Sequence, residues 1–330
     1  MHYRMFGRTG WSVSEIGHGL WGMGGWTGSD DDESLAALGR SILLGCTFFD
    51  TAWAYGEGKS ERLLGEARRR YPHAPMRIAT KIPPKNMRWP ARDADPVADT
   101  YPADHIRDFT ERSLQNLDAQ SIDLQQFHVW SDTWADDEDW QRAVRKLKDE
   151  KLIQAFGISV NRWQPTNVMR ALKTGLVDSV QVVYNIFDQA AEDELFPYCE
   201  SNGIAVIARV PFDEGSLAGV LRPDSTWPEG DWRNTYFVPE NLIPSVERAG
   251  AIKKLLEEWN REHETRITMP ELALRFILGN EDVSTIIPGM RKLSHVEANI
   301  EASDAGPLPK ELHEKLKGFR WVRKPTPWSQ

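Results

Sequence analysis

The sequence predicts a single α/β domain that folds as a (β/α)8 barrel, with long loops after the third and seventh strands. Eight short apolar segments alternate along the chain with amphipathic helical segments, which is the repeat of this fold class. Several apolar segments lack polar alternation, as is typical of parallel strands buried on both faces. A doubly wound open sheet is the competing fold, but eight strand–helix units in about 300 residues favour closure into a barrel.

The predicted strands and helices follow one another in regular alternation. Gly45 ends the first helix at a position that favours a left-handed residue, and Pro165 suits the first turn of the fifth. The candidate strands cover residues 15–20, 47–50, 76–81, 122–128, 153–159, 179–184, 204–210 and 283–287. The candidate helices cover residues 32–44, 60–70, 103–117, 137–150, 165–173, 192–202, two segments of 245–278 that separate near Arg266, and a last segment that begins near Ser294.

Two long connections and the two ends of the chain lie outside this repeat. Residues 83–102 and 211–244 are rich in Pro, Trp, Asp and Gly, and loops of this length commonly act as lids or binding loops. Both follow strands, so both are expected at the C-terminal face, where barrel active sites lie. Within the single domain of residues 1–330, we expect residues 1–14 to form a hairpin at the barrel bottom. We expect the tail, residues 307–330, to pack over the barrel or its mouth.

The composition excludes several classes of function. The chain has 330 residues and a formal net charge of −9, which argues against non-specific binding to nucleic acid or to an anionic membrane. Its two cysteines, Cys46 and Cys199, form no zinc motif and no redox pair. The sequence shows no signal peptide and no apolar segment of membrane-spanning length, so we expect a cytoplasmic protein that acts on a small molecule. No pattern indicates its oligomeric state.

Reactive side chains stand where three consecutive strands should end. Asp50 ends the second predicted strand, and Tyr55 follows it. Lys81 ends the third strand, and His128 ends the fourth. Because the carboxyl ends of barrel strands meet at one mouth, we expect these four side chains to lie together.

Such a set suits proton transfer to a carbonyl oxygen. An ammonium beside Tyr55 lowers the pKa of the phenol, and Asp50 keeps that ammonium charged and in place. Tyr55 then donates a proton while a neutral His128 hydrogen-bonds the same oxygen. No side chain supplies a hydride, so a cofactor has to carry it. The HExxH and GxSxG motifs are absent and the histidines are scattered, which disfavours a metal-dependent barrel hydrolase and a serine hydrolase.

The residues around Tyr55 resemble the first signature of the aldo-keto reductases. Residues 49–56 read FDTAWAYG, and the sequence GKSE at 58–61 continues the match to Gly65. The resemblance implies a bacterial-type member, related to the branch that contains potassium-channel β subunits. Further matches extend it over nearly the whole chain, at residues 6–10, 17–19, 79–81, 122–128, 156–159, 181–185 and 286–299.

The resemblance implies a role for each of the four side chains. Tyr55 would be the general acid, with its pKa lowered by Lys81. Asp50 would pair with Lys81, and His128 would orient the substrate carbonyl. The implied reaction is reduction of an aldehyde or ketone to an alcohol by hydride from NADPH. The alternative is a regulatory subunit that binds the nucleotide with little turnover. The sequence does not name the substrate.

The resemblance also implies a cofactor site at the later strand ends. Arg209 takes the place where many members carry a tyrosine that stacks on the nicotinamide, and arginine can also lie flat over a ring. Arg291 and Lys292 are candidates for a 2′-phosphate, which predicts NADPH. NADH stays an alternative, because His295 stands where many NADPH-preferring members have Arg or Gln. The other predicted contacts are Ser159, Asn161 and Gln181 for the carboxamide, Val210, Pro211, Phe212, Gly215, Ser216 and Leu217 for the pyrophosphate, and Gly289 and Asn299 for the adenosine end.

Fourteen tryptophans are many for this length, and several follow predicted strands. Tryptophan lines apolar pockets, but it equally packs in cores and lids. We expect Trp21, Trp53 and Trp130 to form walls of the substrate pocket, because each stands at or just past a strand end. Trp89, Trp227 and Trp232, from the two long loops, are further candidates for the mouth.

Overall fold

Eight parallel strands form the centre of the computed structural model, which describes residues 1–26 and 28–323. Within these residues the strands are β1 Tyr3–Met5, β2 Ser12–Ser14, β3 His18–Gly19, β4 Phe48–Asp50, β5 Arg77–Ile82, β6 Ile122–Phe127, β7 Ile153–Ser159, β8 Ser179–Val183, β9 Ala205–Arg209 and β10 Thr285–Ile286. Strands β3 to β10 lie side by side in chain order, and every neighbouring pair is parallel. Strands β1 and β2 pair antiparallel outside this sheet.

The first and last strands of the sheet pair with each other. The Gly17 N–H donates to the Ile286 carbonyl at 2.7 Å, and the Gly19 N–H donates to the Pro288 carbonyl at 2.9 Å. These bonds belong to parallel bridges that continue the ladder beyond the short strands β3 and β10. The sheet therefore has no open edge, so the predicted (β/α)8 barrel is confirmed and the doubly wound open sheet is wrong.

Twelve α-helices occur in the described part of the chain, and most of them connect consecutive barrel strands. They are α1 Asp31–Leu43, α2 Lys59–Arg70, α3 Val97–Thr100, α4 Ala103–Asn116, α5 Glu138–Asp149, α6 Met169–Lys173, α7 Leu195–Ser201, α8 Arg233–Tyr236, α9 Pro239–Glu262, α10 Met269–Leu278, α11 Leu293–Ala305 and α12 Lys310–Lys317. In residues 1–26 and 28–323, no helix has both the length and the apolar character needed to cross a membrane.

Polar caps explain where several helices begin. The Asp30 side chain accepts a hydrogen bond from the Glu33 N–H at the start of α1. Asp137 does the same for the first N–H groups of α5. Thr268 and Glu271 form a reciprocal capping box at α10. The predicted separation of two helices near Arg266 is confirmed, because α9 ends before this residue and α10 begins after it.

The regular elements differ from the predicted ones mainly at their ends. The fifth predicted helix loses its first turn, because the Asn161 side chain accepts from the Gln164 N–H and closes a local turn instead. Helix α9 begins at Pro239, several residues inside the segment 211–244 that the sequence predicts as a loop. Helix α12 lies in the tail, where no helix was predicted.

The hairpin of β1 and β2 closes the N-terminal end of the barrel. Phe6 and Val13 are fully buried and pack with Phe48, Leu124 and Ile207, which come from the barrel strands. The Phe6 and Phe48 rings stack with centroids 5.2 Å apart. Because this end is filled with apolar side chains, only the opposite end of the barrel is available for polar chemistry.

The tail returns to the C-terminal side of the barrel. The Trp321 N–H donates to the Phe187 carbonyl at 2.8 Å, and the two rings meet edge to face at 5.8 Å. Phe187 follows β8, so the tail is tied to a loop at the mouth. Residues 324–330 of the predicted tail lie outside the described residues.

We expect Gly19→Ala to weaken the barrel at its closure. A Cβ at this position would lie 2.7 Å from the Ile287 carbonyl oxygen, which is backbone and cannot move aside freely. The free energy of unfolding should fall by about 1–3 kcal/mol, measured by urea titration with tryptophan fluorescence. Gly250→Ala is the matched control, because its Cβ would meet nothing within 4 Å. The explanation fails if the two variants are equally stable.

Candidate active site

A buried ion pair lies at the centre of the barrel mouth. Asp50 ends β4 and Lys81 lies on the neighbouring strand β5, with 2.6 Å between Lys81 Nζ and Asp50 Oδ2. Asp50 is 2% exposed and Lys81 is 1% exposed. Gln181 donates from β8 to Asp50 Oδ1 at 2.7 Å, so the carboxylate also reaches across the barrel. The structure therefore brings together residues that are far apart in sequence but share the strand ends.

The Lys81 ammonium connects the ion pair to Tyr55. It donates to the Thr51 carbonyl at 2.8 Å and to the Tyr55 hydroxyl oxygen at 3.4 Å. Burial alone would lower the pKa of Lys81, but the Asp50 charge and the hydrogen bonds to Asp50 and Tyr55 reverse this effect and raise it. Lys81 is therefore a stable cation beside the phenol.

Burial determines the pKa of Tyr55 more strongly than the neighbouring cation does. Loss of solvent raises the pKa of Tyr55 above its ordinary value of 10.0, and Lys81 offsets only part of that increase. The predicted effect of the cation is present, because Lys81 lowers the pKa of Tyr55, but burial of the phenol outweighs it. Tyr55 is consequently protonated at neutral pH, which is the form that a proton donor needs.

The glycine turn of the first signature places Tyr55. Gly56 has φ of +68°, and a Cβ there would lie 2.1 Å from the Gly24 carbonyl oxygen. After this turn, Glu61 is buried in α2 and accepts hydrogen bonds from Thr80 at 2.6 Å and Asn116 at 2.8 Å. Gly56 and Glu61 therefore hold the turn in place, and the Tyr55 hydroxyl lies beside the ion pair of Asp50 and Lys81.

His128 follows β6 and faces Tyr55. The two ring centroids are 5.7 Å apart and the rings meet edge to face. Burial, then the charges of Lys81 and Arg209, hold the pKa of His128 well below 6.5. The imidazole is therefore neutral, and its buried Nδ1 has no hydrogen-bond partner among the described residues. Trp89 meets the same imidazole edge to face at 5.9 Å and adds an aromatic wall from the loop after β5.

The predicted carboxamide contacts lie on adjacent strands. Ser159 at the end of β7 is in register with Gln181 on β8. Arg209 ends β9 and donates to the Val160 carbonyl at 3.1 Å, while its Nε is buried without a partner among the described residues. Asn161 stands just past Ser159, but its side chain is engaged in the local turn with Gln164.

The turn after β9 has an unusual backbone. Val210, Asp213 and Glu214 have φ values of +58°, +45° and +56°, a region that non-glycine residues rarely adopt. Gly215 follows with φ of +107°. Ser216 donates to Asp213 Oδ2 at 2.5 Å and closes the turn. The other predicted pyrophosphate contacts, Pro211, Phe212 and Leu217, lie in the same turn.

The predicted adenosine contacts gather at the start of α11. Gly289 pairs with Gly19 at the barrel closure, and a Cβ on it would meet nothing within 4 Å. The Arg291 side chain packs against Gly22 and Gly28 of the loop after β3. Lys292 is the N-cap residue of α11, and its helix N-terminus favours an anion. His295 and Asn299 follow on the same helix, and burial, then Lys292 and Arg291, lower the pKa of His295.

The predicted pocket tryptophans have different surroundings. Trp21 is 39% exposed, stacks on Trp26 at 5.0 Å and meets Trp232 edge to face at 5.3 Å. Trp53 is half-buried and packs against Phe109 of α4. The prediction that Trp130 lines the substrate pocket is wrong. Its side chain is 1% exposed and packs among aromatic rings of the outer core, including Trp134 and Trp140.

Sequence reasoning missed a second group of charged residues beside the mouth. Arg162, Asp188, Asp213 and Arg323 form a buried network of ion pairs behind the turn after β9. They come from three loops and the tail, so no local spacing links them. Over the described residues, no group of three or more His, Cys, Asp or Glu side chains has an arrangement that could hold a metal ion.

The chain is similar to known proteins over nearly its whole length. The NADH-specific methylglyoxal reductase of Escherichia coli (strain K12) is 28% identical, over 94% of this chain and 98% of that protein. Aldo-keto reductase YhdN of Bacillus subtilis (strain 168) is 29% identical, over 90% and 87%. The solved structure of glycerol dehydrogenase AKR11B4 from Gluconobacter oxydans superposes with a TM-score of 0.77 at 24% identity, over 96% and 95%. A model described as the Aldo/keto reductase family matches residues 15–320. The predicted resemblance is thereby confirmed, and the chain belongs to the aldo/keto reductase family.

Proposed function

We propose that this protein reduces an aldehyde or a ketone to an alcohol with hydride from NADPH, and that Tyr55 is the proton donor. The observation that carries the proposal is the chain of contacts from the buried pair of Asp50 and Lys81 to the half-buried Tyr55, with His128 facing the phenol. The described residues around this chain have the proton donor, the fixed cation and the neutral imidazole that carbonyl reduction requires.

The donor groups around the mouth fit a nicotinamide dinucleotide. Ser159 and Gln181 stand in register near the catalytic chain, where an amide could be bound. Arg209 offers a buried Nε that has no partner among the described residues. Arg291 and Lys292 stand at a helix N-terminus, where a phosphate would be favoured. When bound, the dinucleotide supplies the hydride, which no side chain can provide.

Tyr55, Lys81 and His128 each have a distinct task in this proposal. Tyr55 gives its proton to the carbonyl oxygen as negative charge develops there. The Lys81 ammonium, 3.4 Å from the phenol oxygen, stabilises the phenolate that is left behind. The neutral His128 hydrogen-bonds the same carbonyl oxygen and orients it.

The preference for NADPH depends on Arg291 and Lys292. A guanidinium can bind a phosphate through two parallel hydrogen bonds, which a ribose hydroxyl cannot reproduce. The Escherichia coli relative is named as NADH-specific, so members of the family differ in this property. Substitution of Arg291 or Lys292 therefore tests the preference of this chain between NADPH and NADH.

We expect Tyr55→Phe to lower kcat for carbonyl reduction by roughly 10²- to 10⁴-fold, because the proton donor is lost. NADPH binding, followed by tryptophan fluorescence, should change little. Tyr3→Phe is the matched control, since Tyr3 lies on the hairpin at the opposite end of the barrel and its hydroxyl donates to the Gly45 carbonyl. Turnover by Tyr55→Phe near the wild-type rate would refute the assignment of the acid. If the wild type binds NADPH but reduces none of a broad panel of carbonyls, the protein acts as a regulatory subunit instead.

The pKa shifts of Tyr55 and His128 predict that kcat for reduction does not fall as the pH is lowered toward about 6. Tyr55 is the required acid below its raised pKa, and His128 is already neutral because its pKa lies well below 6.5. The kcat for reduction should therefore stay constant from about pH 6 to about pH 9, and alcohol oxidation, which needs the phenolate, should rise with pH. Deuterated NADPH shows whether hydride transfer limits kcat in this range. An inflection of the reduction rate near pH 6.5 would contradict a neutral His128.

We expect Arg291→Ala to raise the KM for NADPH by about tenfold to a hundredfold, as the loss of a charged hydrogen bond predicts. The KM for NADH should change less than threefold, roughly the factor expected when no bond is lost, so NADH serves as the control within one variant. An equal increase for both nucleotides would mean that Arg291 acts through the shape of the site and not through the 2′-phosphate.

A further inference from the structure

The turn after β9 requires support from outside itself. Its residues Val210, Asp213 and Glu214 have positive φ values although none of them is glycine. Such a backbone costs conformational free energy, so surrounding contacts have to hold it. Within the turn the Ser216 hydroxyl donates to Asp213, and from outside Asn185 donates to the Val210 carbonyl at 3.1 Å, but neither contact ties the Asp213 carboxylate to the barrel.

Two arginines anchor the Asp213 carboxylate from different parts of the chain. Arg323 of the tail lies 2.5 Å from Asp213 Oδ1, and Arg162 of the loop after β7 lies 3.2 Å from the same oxygen. Asp213 is fully buried, and both guanidinium groups are nearly so. Burial alone would raise the pKa of Asp213, but Arg323 and Arg162 outweigh burial and lower it. The carboxylate is therefore charged and held by two cations.

Arg323 also joins the turn to the loop after β8. It lies 2.6 Å from Asp188, whereas Arg162 lies 3.7 Å from that carboxylate. Of the two arginines, Arg323 thus makes the shorter contact to each acid. Its guanidinium is held in turn by the Trp321 ring, with 4.6 Å to the ring centroid, and Trp321 is bonded to Phe187. The tail therefore presents one buried cation to two neighbouring loops.

Removing this cation would leave two buried carboxylates with one shared arginine. Asp188 and Asp213 would then repel each other with only Arg162 between them, and the left-handed backbone of the turn would lose its closest external contact. The turn would still follow β9, but its backbone would sample other conformations. A ligand that needs the turn preformed would then bind more weakly, because it would have to order the turn again.

We propose that Arg323 is a positioning residue for the cofactor: through Asp213 it holds residues 210–217 in the conformation that binds the dinucleotide pyrophosphate. This inference rests on the proposed function of the same turn. Arg323 itself need not touch the cofactor, so its effect should fall on nucleotide affinity and leave the proton donor unchanged. Among the described residues, no hydrogen bond or ion pair joins the chain from Asp50 to Tyr55 to the network of Arg162, Asp188, Asp213 and Arg323.

The test compares Arg323→Gln, Arg323→Lys and wild type in full-length protein. Arg323→Gln should raise the Kd and the KM for NADPH roughly tenfold, within the range of couplings carried by buried networks, with faster NADPH release in stopped-flow fluorescence. At saturating NADPH, kcat and the KM for the carbonyl should stay within about twofold of wild type. Arg323→Lys keeps the charge but lacks the second nitrogen, Nη1, which donates to the Tyr236 hydroxyl, so it should lie between the other two.

Arg320→Gln is the matched control, because Arg320 stands three residues earlier and pairs with Asp193 at the surface. It should leave the affinity for NADPH unchanged. Equal KM values for NADPH in Arg323→Gln and wild type would overturn the inference, as would a fall in kcat without a change in nucleotide affinity. If Arg323→Gln does not fold, Arg323→Lys decides by the same criteria. Absence of NADPH binding in the wild type would instead overturn the proposed function, so the two failures are distinguishable.

Discussion

An ammonium group inside a protein has to be compensated by its immediate neighbours, because removal of a charge from water costs several kcal/mol even after the structure relaxes. Lys81 meets this requirement through Asp50 and the Thr51 carbonyl. Asp50 in turn needs donors for its second oxygen, and Gln181 supplies one from the other side of the barrel. This requirement ties strands β4, β5 and β8 to one point. It explains why the mouth is polar at a place where a barrel interior would otherwise be filled with apolar side chains.

Burial shifts the pKa values of Tyr55 and His128 in opposite directions. Loss of solvent disfavours the charged form of each group, so it raises the pKa of the phenol and lowers that of the imidazole. Both side chains are therefore neutral around pH 7, and Lys81 and Asp50 carry the fixed charges of the centre. A neutral donor pair beside a fixed cation suits the stabilisation of an oxyanion, because no charge has to be created before the substrate arrives.

The barrel and the meeting of the candidate site residues at its mouth could be predicted because both depend on local patterns. Apolar segments identify the strands, and the strand-end rule then brings Asp50, Lys81 and His128 to one mouth. Trp130 shows where that rule fails: it follows β6, but the chain turns back and its ring enters the outer core. The raised pKa of Tyr55 could not be predicted either, since burial depends on every element that surrounds the mouth. No local sequence pattern predicts the contact between Arg323 and Asp213, because charge pairs between distant segments have no characteristic spacing.

The separation of Arg323 from its partner also affects how the protein is made. Asp213 and Arg323 are 110 residues apart, and the last helices of the barrel lie between them. During synthesis, the turn after β9 leaves the ribosome long before the cation that anchors it. The turn therefore depends on a segment that is synthesised after all eight strands of the barrel.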